Sequence, residues 1–236
     1  MLPQLASKEV GACLKLGLTG LVVGPVVDGI HNQALLSYDL LPLELGGLHT
    51  SFLVPPLLAL AYPVLGFVLP KVGALVFEQQ RRRDDLGVRA LSAVASTACI
   101  VKLSEVAVTT MSPLTGLILV ASAALLQWAL LDASSLSLVV ALAAALGGPL
   151  AELPFIANGA WHYLNPDYFP LGGNDLGLSL ITGPCYFAVT TDAIALCNFF
   201  LLAGGGAEKT SGTTTSKRAT SRSSFSDNNN NNAARR

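Results

Sequence analysis

Residues 112–158 read SPLTGLILVASAALLQWALLDASSLSLVVALAAALGGPLAELPFIAN. Two apolar runs, 112–131 and 136–158, flank the polar turn Asp132-Ala133-Ser134-Ser135, and Glu152 is the one charge inside them. Each run is close to the ~20 residues that a helix needs to cross a hydrocarbon core of ~30 Å. A turn this short predicts that the two are antiparallel neighbours. Four more runs of the same kind lie outward of this pair, at 11–30, 48–70, 88–108 and 178–203. The expected fold is therefore all-α, a polytopic membrane bundle of six helices. A chain that is 52% hydrophobic and 12% charged has no polar faces with which to cover a soluble helical globule.

The positive charge sorts by connection. Of 14 Lys and Arg residues, only Lys15 and Lys102 fall inside spans, Arg89 standing where the 71–89 loop meets the third run. The others sit at the N-terminus (Lys8), in the 71–89 loop (Lys71, Arg81, Arg82, Arg83, Arg89) and in the tail (Lys209, Lys217, Arg218, Arg222, Arg235, Arg236). Connections 31–47, 109–111 and 159–177 hold none. Lys and Arg are retained on the cytoplasmic side, so both termini are expected there. The basic loop also carries Glu78, Asp84 and Asp85, which fits a turn solvated near anionic head groups and not a nucleic-acid site.

Three segments follow: a short cytoplasmic N-terminus (1–10), the membrane domain (11–203) and a tail (204–236). The tail is Gly, Ser, Thr and Asn, ending in Asn228–Asn232, and is expected to be disordered on the cytoplasmic side. The first apolar run follows Lys8 and Glu9 and reads as a retained span, not as a cleaved signal peptide. The loop 31–47 is mildly apolar and is expected to lie along the lumenal interface.

The spans carry their own punctuation. Gly20 and Gly24 form a GxxxG pair, a face where a second helix can approach closely. Pro55, Pro56, Gly66, Pro70 and Pro184 are expected to bend helices, as are Pro149 and Pro154. Bent spans predict an internal or lateral cavity, because freed backbone groups are costly against lipid. Cys13, Cys99, Cys185 and Cys197 all lie in spans without metal-ligand spacing and are expected to be buried thiols, so no metal site is expected.

Catalytic patterns are missing: no HExxH, no Gly-x-Ser-x-Gly, no phosphate-binding loop. His31, His49 and His162 neither cluster nor pair with cysteines, and read as interfacial residues. The chain is therefore expected not to be an enzyme and to carry no cofactor. Intramembrane charges are costly and each is a candidate for function. Lys102 and Glu105, three apart, are expected to pair with each other. Glu152 and Asp192 have no evident cationic partner and either are protonated or face polar groups. They support an alternative reading as a small proton-coupled or lipid transporter. Trp161, Tyr163, Tyr168 and Phe169 gather beside Asn158 and Gly159, as an interfacial aromatic belt would.

That last stretch resembles the signature linking the fifth and sixth spans of the Insig (insulin-induced gene) family, with Asn158, Gly159, Tyr163, Pro166 and Asp167 at the family's spacing. Val54-Pro55-Pro56 followed by Gly66 and Pro70, Trp128 with Asp132, and Pro184-Cys185 are similar to three further family patterns. The resemblance spans most of 10–203. It departs from the family at Ile100-Val101-Lys102, at Thr115, in the Gly-rich Gly172-Gly173-Asn174-Asp175, and at Asp192, Ala193 and Cys197. It implies a six-span endoplasmic-reticulum protein without enzymatic activity that binds oxysterols or diacylglycerol-like lipids. It implies partners of the sterol-sensing class, the Scap escort and HMG-CoA reductase, with a homo-oligomer possible. On this reading Trp128, Asn158, Gly159 and Tyr163 shape a lipid pocket, and Asp132 meets the partner at the cytoplasmic edge.

Overall fold

A computed structural model describes residues 2–77, 85–172 and 176–203, including the side chains of all but 2–6 and 31–33. The readings on Glu78, Arg81, Arg82, Arg83 and Asp84, on Gly173, Asn174 and Asp175, on the His31 side chain and on the tail from 204 lie outside the described residues. Among the described residues, six helices are long and apolar enough to cross a membrane. They are α1 (Leu2–Leu35), α2 (Val54–Gly73), α3 (Leu86–Thr110), α4 (Pro113–Leu131), α5 (Ser135–Ala157) and α6 (Thr182–Leu202). Local chemistry sets their starts. Ser112 and Ser134 accept the backbone N–H of Thr115 and Ser137, capping α4 and α5.

Two departures come from the connections. The expected second span began at residue 48, but 48–51 form a strand and α2 starts only at Val54. The loop expected to lie along the interface folds into short ribbons instead. β1 (Leu36–Tyr38) pairs antiparallel with β4 (Trp161–Tyr163), and β2 (Pro42–Leu45) pairs with β3 (Leu48–Ser51). Gly46 and Gly47, at φ +56° and +91°, turn the second hairpin. Positive φ at both turn residues matches the twist of a two-residue hairpin. The fold is thus mostly helical with two small ribbons at one end.

The prolines need a correction. Pro55 and Pro56 occupy the first turn of α2, and Pro184 the first turn of α6, where a missing N–H costs nothing. They begin helices and do not bend them. The irregularity in α2 is a π-helical turn, Val64–Val68, between Pro63 and Pro70. Neither proline can donate to the ladder, so the hydrogen bonding rearranges around them. Gly66 sits in this turn, and a Cβ there would lie 2.5 Å from the Ala193 carbonyl oxygen of α6.

Helix α6 is the most deeply buried and packs on each of the other five. α1 lies on α2 through the expected glycine pair: a Cβ on Gly20 would fall 2.2 Å from the Leu58 carbonyl oxygen, and one on Gly24 2.6 Å from the Leu58 side chain. α3 and α4 are antiparallel neighbours, as expected. α4 and α5 are not, although only a short turn joins them. Small residues of α4 face α3, with Gly116 against Ala107, while those of α5 face α6, with Ala145 against Gly183. The two helices splay from their turn and leave an open cleft floored by α6.

Lys102 and Glu105 form the expected ion pair. Lys71 pairs with Glu9 at 2.8 Å, joining the end of α2 to the start of α1. Cys185 and Cys197 are buried, but Cys99 is exposed on the outer face of α3, against the expectation that all four would be buried.

Candidate functional site

At the ribbon end of the bundle, α1, α2, α3, α5 and α6 line a partly open cavity of about 110 Å³. Its polar lining is Asp28, Tyr62, Glu152, Thr182 and Tyr186, set among Leu58, Val101 and Val189. Glu152, buried on α5, is its centre. Oε1 accepts the Tyr186 hydroxyl at 2.8 Å. Oε2 accepts the Tyr163 hydroxyl at 2.7 Å and the Trp161 indole N–H at 3.3 Å. Strand alternation explains why β4 delivers both donors: Trp161 and Tyr163 point inward, while His162 points out to Asp39 at 2.7 Å.

The facing strand is tied in the same way. Tyr38 of β1 donates its hydroxyl to Asp28 Oδ2 at 2.7 Å, and Thr50 of β3 approaches the same oxygen at 3.5 Å. Each strand of the β1–β4 ribbon is thus anchored by a phenol to a carboxylate that lines the cavity. Burial, and then the facing carboxylate, push the Tyr38 and Tyr163 hydroxyls well above the usual phenol range. Both remain protonated donors. The Trp161 ring stacks on Phe155 at 4.8 Å and meets Tyr38 edge-on at 6.1 Å, closing the cluster.

Deeper along α6, Asp192 Oδ2 accepts the hydroxyl of Tyr62 at 3.1 Å, and Tyr62 also lines the cavity. The other Asp192 oxygen is buried, with no hydrogen-bond partner among the described residues. Glu152 and Asp192 therefore face polar groups, one of the two possibilities that the sequence left open.

Gly148 holds Tyr186 in place: a Cβ there would lie 2.4 Å from the ring. Gly148→Ala is expected to push the phenol away from Glu152 and to cost about 1–3 kcal/mol, read as a lowered unfolding midpoint in detergent. An unchanged midpoint would show that the ring is free to move.

The second feature is the cleft between α4 and α5, about 540 Å³ in volume. Leu117, Ala121, Leu142 and Leu146 form its walls, Gly183 and Phe187 its floor, and Tyr168 and Ser179 close one end.

The structure separates the residues grouped by sequence. Tyr163 reaches the cavity cluster through Glu152. Asn158 and Gly159 do not: Asn158 is exposed and returns its amide to Pro154 O at 2.6 Å, and Gly159, at φ +66°, turns the chain from α5 into β4. Trp128 lies at the opposite end, where its indole donates to Ser134 O at 3.1 Å and Ser137 Oγ at 3.0 Å. Asp132 belongs to the same turn and accepts from Ser134 Oγ at 2.9 Å. Trp128 and Asp132 are thus one structural unit, the clasp of the α4–α5 turn. The sequence reading did not foresee that Trp161, Tyr186 and Asp28 would join this cluster. The alternation Trp161-His162-Tyr163 beside a lone intramembrane acid was the signal that could have found it.

These features define a six-span helical membrane protein with a cavity of mixed apolar and polar lining near one end. No family model and no curated protein matches the chain. Solved structures do match in fold. One is a mycobacterial Insig homologue, MvINS, from Mycobacterium vanbaalenii, at TM-score 0.64 and 21% identity over 81% of this chain and 94% of that one. Another is a cross-linked trimer of MvINS, at TM-score 0.64 and 22% identity over the same shares. At this identity the likeness is one of fold, and the chain has the Insig-homologue fold.

Proposed function

We propose that this chain is an Insig-family regulator: a lipid- or sterol-responsive adaptor of the endoplasmic-reticulum membrane, without enzymatic activity, that binds sterol-sensing membrane proteins. The observation that carries this reading is the fold, shared over 94% of the MvINS chain and holding a cavity lined by both polar and apolar side chains. Four short sequence patterns, quoted above, point to the same family independently. The lipid, an oxysterol or a diacylglycerol-like molecule, places its polar end at the Glu152–Tyr163 cluster. The α4–α5 cleft is apolar enough to take acyl chains from the bilayer. Lys and Arg distribution supports placing the termini and the Asp132 turn on the cytoplasmic side. A homo-oligomer is part of this proposal, given the trimer of MvINS.

Ligand controls partner binding only if it favours the partner-competent conformation over the other. Asp132, half-buried in its turn, offers the partner a carboxylate at the membrane edge. Asp132→Ala is expected to reduce co-purification of a sterol-sensing-domain protein (Scap-like or HMG-CoA reductase-like) by about tenfold, or about 1.4 kcal/mol. Lipid binding should be unchanged. Undiminished co-purification would remove Asp132 from the interface.

A further inference from the structure

We propose that the outer face of α3 is the contact between copies of this chain, held by Lys102 and Glu105 of neighbouring copies. The inference rests on the homo-oligomer reading above and goes beyond it by naming the surface and its charges. The Lys102–Glu105 pair stands inside the membrane. α3 runs from Leu86 to Thr110 and, at ~1.5 Å per residue, is ~37 Å long against a hydrocarbon core of ~30 Å. Lys102 lies ~12 Å from its Thr110 end. The ammonium turns toward that end and stops at Glu105, still ~7 Å short of it. Yet the Lys102 side chain is 55% exposed, on the side of α3 turned away from the bundle. Charge against hydrocarbon is costly, and intramembrane Lys and Glu almost always face protein or a water-filled cavity.

The rest of this face also differs from the outer sides of other helices. α1 exposes Leu14, Leu18 and Val22, and α4 exposes Ile118, Leu126 and Leu130. On α3, the positions exposed between Leu91 and Val106 are Ser92, Ala95, Cys99 and Lys102. They recur at intervals of three and four and so form one stripe. Small side chains in such a stripe let the backbone of a second helix come close. Charge then chooses the occupant. The face carries a base and an acid one turn apart, so its complement needs an acid and a base at the same depths. A second copy brings both. Copies in one membrane share their orientation, so their α3 helices pack parallel with equal residues level. Lys102 reaches up one turn to Glu105, and at that level each ammonium meets its own carboxylate and its neighbour's. Signs alternate around the symmetry axis, in a pair or in a larger closed ring.

Two measurements on the full chain test this. Cys99 lies in the stripe and serves as a native probe, while Cys185 and Cys197 are buried. Copper-phenanthroline oxidation in membranes is expected to link copies through Cys99, since a disulfide needs Cα atoms within about 7 Å. The link should vanish in Cys99→Ser and persist in Cys13→Ser. Co-expression of two differently tagged copies reads self-association by co-purification. Lys102→Glu in both copies sets like charges level with each other and should reduce it about tenfold. Glu105→Lys in both should do the same. Lys102→Glu in one copy with Glu105→Lys in the other should restore it, because the two faces are then opposite in sign. The Cys99 link requires no charge variant to fold. Absence of that link, self-association undiminished in Lys102→Glu, or no recovery in the mixed pair overturns the inference. In each case wild-type co-purification leaves the homo-oligomer reading standing. Wild-type copies that neither link nor co-purify overturn both.

Discussion

Glu152→Leu is expected to lose about 3–5 kcal/mol of stability, because one substitution removes the shared acceptor of three donors and leaves only Tyr163 a second one, Thr182 Oγ1 at 3.3 Å. Trp161, Tyr163 and Tyr186 converge on this carboxylate from β4 and α6. Leucine fits the volume but accepts nothing, and each buried donor left unsatisfied costs about 1–3 kcal/mol, less when several relax together. The loss should be felt first at the ribbon, since Trp161 and Tyr163 tie β4 to Glu152 of the bundle. Unfolding in detergent gives the size of the effect, and Trp161 fluorescence reports where it begins. Glu152→Gln keeps one acceptor and should cost less, about 1–2 kcal/mol. A leucine variant as stable as the wild type would mean that the cluster forms without its carboxylate.

Much of this fold was legible before the structure. Spans are written in composition, and α3, α4 and α5 start and end within two residues of the expected bounds. Lys102–Glu105 was legible because helix geometry puts residues three apart on one face. The cavity was not. Its acids and donors come from positions as distant as Asp28, Tyr62, Glu152 and Tyr186. Periodicity describes each helix against its own axis and says nothing of which neighbour it meets. The splay of α4 from α5 failed for a related reason: a short turn fixes proximity at the turn, whereas small residues further along decide the packing partner. Proline was misread where only the boundary of a helix distinguishes a start from a bend.

Gly20→Val is the second large effect. The new Cβ, whose position the backbone fixes, would lie 2.2 Å from the Leu58 carbonyl oxygen, a contact that no rotamer can relieve. α1 and α2 must move apart. Overpacking usually costs about 1–3 kcal/mol, and this case is expected at or above the top of that range. Both helices also line the cavity, through Asp28 on one and Leu58 and Tyr62 on the other, so lipid binding should fall with stability. Gly11→Val is the control. Nothing lies within 4 Å of a Cβ at Gly11, and that variant should change stability by no more than about 0.5 kcal/mol. Equal stability of the two variants would show that the α1–α2 contact is looser than drawn.

The central claim, that this is a lipid-responsive regulator and not merely a bundle of similar shape, rests on the cavity being a ligand site. Mass-spectrometric identification of lipids that co-purify with the full chain tests it most directly, combined with competition by radiolabelled oxysterol or diacylglycerol. The account predicts a discrete lipid bound in stoichiometric amount, displaced saturably, depleted in Gly20→Val and retained in Asp132→Ala. No lipid above the detergent background, together with no saturable binding of either competitor, would contradict it.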